Sequence, residues 1–156
     1  MRKWRRWRAL ARDDRRLLVQ AAALLVWTRA RLPFMDFRVD RDATERMRSG
    51  PSSDAGLARA QAIARLVGIA AAHVPVRVAC LHRSLVLWWL LRREGIACEL
   101  RLGARAGSEP FGAHAWIQCA GVALDEDAAQ AARYVPFAQA VIPVVSGRWR
   151  RPACVP

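Results

Sequence analysis

Residues 80–95, CLHRSLVLWWLLRREG, constrain the fold more than any other stretch of the chain. Leu81, Leu85, Trp88, Trp89 and Leu91 wrap more than one stripe of a helix, and only neighbours on several sides can cover such a surface. The spacing predicts a central, mostly buried helix. Arg92 and Arg93 put cations at its C-terminal end, and Gly95 stands just past it, where a left-handed residue stops a helix cheaply. Pro75 and the extended VPVRVAC precede it, so the helix opens at Cys80.

The residues that follow change period. Cys98, Leu100 and Leu102 alternate with Glu99 and Arg101, the pattern of a half-buried strand. Residues 107–110, GSEP, form a loop. A second strand is predicted from Ala113 to Cys119, a hairpin turn at Ala120-Gly121 and a third strand from Val122 to Leu124. Residues 133–145 read as further strand and loop, broken at Pro136 and Pro143.

The first half reads as helical. Asp13 and Asp14 suit a helix start before RRLLVQAAALLVWTRARL, and Pro33 ends that run. From Leu17 to Trp27 it is apolar nearly all round, which predicts a helix that is buried or docked rather than free. Residues 34–53 read as a linker or a short helix with a loop, closed by Gly50-Pro51-Ser52-Ser53. A further amphipathic helix starts at Ser53 or Asp54 and carries Leu57, Ala60, Ile63, Leu66 and Val67, with Pro75 as its break. The sum is an α+β domain in which a small antiparallel sheet packs on the Cys80 helix. The organisation expected is a basic helical region over residues 1–52 and a core over 53–156, together one compact domain.

At 156 residues and 54% hydrophobic composition the chain can bury a core without disulfides or metal, which excludes disordered and disulfide-scaffold classes. The four cysteines, Cys80, Cys98, Cys119 and Cys154, are scattered singly, with neither a CxxC pair nor a zinc spacing. The apolar run 17–27 is too short for a bilayer span and lacks a cleavage-type sequence, so free thiols in a reducing cytoplasm are expected. The formal charge of +13 comes from arginine, with Lys3 the only lysine. Its plain reading is a solvated surface. The arm MRKWRRWR, with Trp4 and Trp7, adds a weak contact with anionic membrane as an accessory property. A basic protein that binds nucleic acid or a membrane surface is the alternative from another class, although nucleic acid is not the expected partner.

Cys80, at the start of a helix, meets unpaired N–H groups and the positive end of the macrodipole, a setting that favours thiolate. His114, on a strand with Trp116 and Gln118, is held rigidly enough to act as its base. Asp125, Glu126 and Asp127 follow the hairpin, and any of them has the charge to accept the second ring N–H. Cysteine, histidine and carboxylate in this order point to nucleophilic thiol chemistry, with the Cys80 N–H as an oxyanion donor. His82 and His73 are weaker candidates for the base. Cys98, Cys119 and Cys154 read as ordinary core or tail thiols, and no cofactor or metal is called for.

Four pieces in order, CLHRSLVLWWLLRREGI, CELRLGAR, GAHAWIQCAGVALDED and ARYVPF, resemble the stand-alone leader peptidases of lasso-peptide biosynthesis, which have a transglutaminase-like, papain-type fold. The resemblance covers residues 76–137. It implies a cysteine peptidase that cuts the leader from a ribosomally made precursor peptide, so that a macrocyclase can close the ring. It implies Cys80 as nucleophile and His114 as base. The family has an aspartate twelve residues after the histidine; here Glu126 stands there, with Asp125 just before it. Asp125 is the preferred third member and Glu126 the alternative. It also implies a separate leader-recognition protein acting in trans. Transglutaminase-like acyl transfer is the alternative with the same thiol.

Overall fold

Helix α1, Arg12–Arg31, is the first element of the computed structural model, which describes residues 10–32, 36–39, 54–105, 112–124, 133–137 and 141–144, with backbone alone for 36–39 and 141–144. Its first turn carries Asp13 and Asp14 and its last turn Arg29 and Arg31, charges that complement the macrodipole. The helix begins at Arg12, slightly earlier than the acidic pair suggests, with Ala11 in the capping position. Leu17, Ala21, Leu25 and Thr28 are buried, a stripe at helical spacing. The Thr28 hydroxyl donates to the Leu25 carbonyl at 3.1 Å, so it enters the apolar layer satisfied. The opposite face is exposed: Val19, Val26 and Trp27 are 56%, 44% and 39% accessible.

Helix α2, Asp54–Ala71, starts at the acidic residue the sequence marks and buries Ala60, Ile63, Ala64, Leu66, Val67 and Ala70. The small residues let α1 and α2 approach closely. Helix α3, Cys80–Arg93, follows Ala79, which is extended (φ −78°, ψ 164°). Its C-terminus is a Schellman closure: Gly95 at φ 72°, with its N–H on the Arg92 carbonyl at 3.1 Å and the Ile96 N–H on Leu91 at 2.9 Å. Arg92 and Arg93 lie over the rings of Trp88 and Trp89 at 5.1 and 4.8 Å, and both tryptophans are half-buried and packed against the core. The inner faces of α1, α2 and α3 form one apolar core with Cys98, Leu100, Ala115, Ile117 and Cys119 of the sheet.

Six described strands make one antiparallel sheet: β1 (Asp36–Val39), β2 (Glu99–Ala104), β3 (Ala113–Cys119), β4 (Val122–Ala123), β5 (Val135–Pro136) and β6 (Val141–Val144). The order is β1-β6-β2-β3-β4, with β5 also on β2. Residues 36–39 pair with β6, so part of the presumed linker is a strand. Asp36-Phe37-Arg38-Val39 alternates charged and apolar residues, but four residues are too short a run to reveal a strand. In the β2–β3 ladder Leu100 lies opposite Ile117 and Leu102 opposite Ala115, on the helix-facing side. Arg101 opposite Trp116 and Gly103 opposite His114 share the other side. The β3–β4 turn has Ala120 at φ 49° and Gly121 at φ 82°, two successive left-handed residues as a tight hairpin needs. The α+β reading, with a small antiparallel sheet packed on the Cys-bearing helix, describes this architecture.

Candidate active site

Cys80 is the first residue of α3, half-buried, and follows the extended Ala79. Four residues on, on the same side of the helix, Ser84 is fully buried and donates its hydroxyl to the Ala115 carbonyl at 3.0 Å. That bond fixes how α3 meets the histidine strand. The Leu124 N–H bonds the Ile117 carbonyl at 3.0 Å, so carbonyls of the odd-numbered residues of β3 point toward the β4 edge. At Ala115 the hydroxyl of Ser84 takes the place that a neighbouring strand would fill. The bond ties the second turn of α3 to the residue next to His114, while Cys80 and Leu81 pack against the apolar core that includes Ala115 and Ile117.

His114 is the second residue of β3 and half-buried, with its Nε2 out of contact with solvent. Its ring is parallel to that of Trp116 (centroids 6.0 Å apart, 10° between planes) and tilted against Tyr134 at 4.7 Å. Two aromatic neighbours limit the ring's rotation, which a base needs if it is to meet a proton in one orientation. Gly103, opposite His114, makes room for this group. A β-carbon there would stand 2.8 Å from the Val135 carbonyl oxygen and 2.9 Å from the Trp116 ring. Neither Gly103 nor Tyr134 is distinguished by the sequence as part of the site, although a glycine inside a strand pattern signals close approach. Ser84 has a comparable signal, a small polar residue one helical turn after the cysteine.

The other thiols have different settings. Burial, with a smaller contribution from Cys119, pushes Cys98 up to about 12, so it stays protonated at neutral pH. Burial also raises Cys119. Both match the expectation of ordinary core thiols, while Cys154 lies outside the described residues. Among the described cysteines Cys80 alone is not buried. His73 is exposed, with Nδ1 2.8 Å from the Ile69 carbonyl oxygen. His82 is buried, and burial together with the nearby Arg29 lowers its pKa. Asp125, Glu126 and Asp127 lie outside the described residues, as do Trp4 and Trp7. Among the described residues no group of three or more His, Cys, Asp or Glu could hold a metal ion.

Residues 21–139, well over half of the chain and both Cys80 and His114 with them, match the family model of the transglutaminase-like superfamily. The chain belongs to the transglutaminase-like superfamily. This superfamily includes cysteine peptidases and acyl transferases, so thiol chemistry is its general mode. In this transglutaminase-like domain the matched stretch runs from within α1 to just beyond β5. Comparison with curated proteins and with solved structures returns no match.

Proposed function

We propose that this transglutaminase-like protein is a cysteine peptidase that removes the leader from a ribosomally synthesised precursor during lasso-peptide maturation. One observation carries the thiol assignment: the half-buried Cys80 opens a helix whose next turn is bonded to the histidine strand through Ser84 and Ala115. Membership of the superfamily supports the chemistry. The order of the four sequence pieces supports the substrate.

In this mechanism His114 takes the proton of the Cys80 thiol, and the thiolate attacks the carbonyl carbon of the leader–core amide. The oxyanion is met by the N–H of Cys80 at the start of α3. His114 passes its proton to the leaving amine, the core departs with a free N-terminus, and the leader is held as a thioester. Water, deprotonated by His114, attacks the thioester and releases the leader as an acid with the thiol restored. Asp125 orients the imidazole, with Glu126 as the alternative. A recognition protein in trans presents the leader, a macrocyclase consumes the core, and the setting is the cytoplasm.

Acyl transfer is the second reading, because the superfamily includes it and only the acceptor differs. The deciding experiment incubates the precursor and its recognition partner with the wild type, Cys80→Ala and His114→Ala, and reads products by mass spectrometry. The reading expects a free leader acid, a loss in both variants of at least about 10³-fold in rate, and no amide or crosslinked product when amines are added. Full activity of Cys80→Ala would refute it. A dominant amide product would replace hydrolysis by transfer.

A further inference from the structure

Helix α1 is apolar on two sides, and only one is used by the core. Successive residues of an α-helix are about 100° apart, so Val19, Ala23, Val26 and Ala30 fall within about 60° of one another, with Trp27 beside them. All five are exposed, Val19 at 56%, Val26 at 44% and Trp27 at 39%. The buried stripe, Leu17, Ala21, Leu25 and Thr28, lies on the opposite side. Arg12 and Arg16, both exposed, continue the outward stripe toward the N-terminus, and exposed Arg29 and Arg31 flank its other end. The outward face is thus an apolar strip with a bulky indole and cations at both ends.

We propose that this face of α1 docks on the surface of an anionic lipid bilayer, with Val19, Val26 and Trp27 at the boundary of headgroups and acyl chains and the arginines on lipid phosphates. The charge pattern selects this occupant. A second copy would bring a second set of arginines against the first in a chain of formal charge +13, and a neutral apolar partner would leave the cations unmatched. A convex strip with cations at its ends suits a broad anionic surface, where long arginine side chains reach the phosphates while the apolar strip sinks a few ångströms. Among the described residues no helix is long and apolar enough to cross a membrane, so the contact is with the surface. The inference is independent of the peptidase reading and of residues 1–9.

The test is flotation of the full chain with vesicles of phosphatidylcholine alone and of phosphatidylcholine mixed with phosphatidylglycerol. The wild type should float with the anionic vesicles only, and less in high salt. Val19→Ser, Val26→Ser and Trp27→Ser combined should lower the floated fraction by about tenfold. Because these side chains are exposed, the variant should keep its circular dichroism and thermal midpoint. A second variant, Arg12→Gln with Arg16→Gln, leaves the apolar strip intact and should lower flotation as well. Equal flotation of wild type and the serine variant would overturn the proposal. So would absence of flotation of the wild type, or a loss in the serine variant only of self-association or of binding to an acidic peptide.

Discussion

Ser84 and Ala115, thirty-one residues apart, are joined by a buried hydrogen bond of 3.0 Å between a helix hydroxyl and a strand carbonyl. It ties the second turn of α3 to the residue next to His114, and so sets the helix-start cysteine relative to the histidine strand. Replacing Ser84 with alanine removes the donor and strands a buried carbonyl, at a cost of about 1–3 kcal/mol. Urea unfolding should show a lower midpoint with an unchanged slope. Precursor cleavage should fall at temperatures where Ser84→Ala is still folded, because the tether that orients α3 is lost; wild-type turnover there would separate the bond from the site.

Gly103 is a second position where the structure makes a sharp demand. Gly103→Ala puts a methyl group 2.8 Å from the Val135 carbonyl oxygen and 2.9 Å from the Trp116 ring, so strand β5 or the indole must move. Overpacking of this kind costs about 1–3 kcal/mol. A drop in thermal midpoint accompanied by altered tryptophan fluorescence is expected, and an alanine variant as stable as the wild type would contradict the close approach.

Acid should weaken the fold through His82. Neither ring nitrogen has a hydrogen-bond partner among the described residues, and burial first and Arg29 second depress its pKa below the ordinary 6.5. A histidine with a depressed folded-state pKa stabilises the fold fully above its unfolded value, and that stability is lost as pH falls below it, because the unfolded chain binds the proton more readily. Urea midpoints measured on either side of pH 6.5 should differ more for the wild type than for His82→Phe. Equal pH slopes would show that other groups carry the dependence.

Alkali should act through Cys98. Its folded pKa of about 12 lies above the ordinary 9.0, so its contribution is complete below about pH 9 and fades as the pH climbs toward 12. The fold should lose up to a few kcal/mol over that interval, and Cys98→Ala should lose less across the same range. At neutral pH iodoacetamide should label Cys80 well before Cys98 or Cys119, which become reactive only on unfolding. Peptide mapping reads the order directly.

The sequence carries its own signals wherever short-range physics decides. Gly95 stops α3 because a left-handed residue is needed for the Schellman closure, and the extended Ala79 opens the helix at Cys80 as the Pro75 break suggests. Ala120-Gly121 makes the hairpin that two consecutive left-handed residues require. The alternation at Leu100 and Leu102 marks the face of β2 that meets the helices. These features follow from φ preference, capping and periodicity, all set by residues within a few positions of one another.

Only the tertiary structure settles matters that depend on which distant surfaces meet. Both sides of α1 are apolar, so the pattern alone offers two faces for burial; packing against α2 and α3 takes Leu17, Ala21 and Leu25 and leaves Val19, Val26 and Trp27 outside. Residues 36–39 become a strand because β6, about a hundred positions later, supplies their partner, a pairing no local window contains. The serine that ties α3 to β3, the glycine opposite His114 and the tyrosine against its ring likewise gain their roles from close approach of segments far apart in sequence. Local conformational preference fixes where elements begin and end, and long-range burial chooses which of their faces touch, because loop-closure entropy and packing are properties of the whole chain.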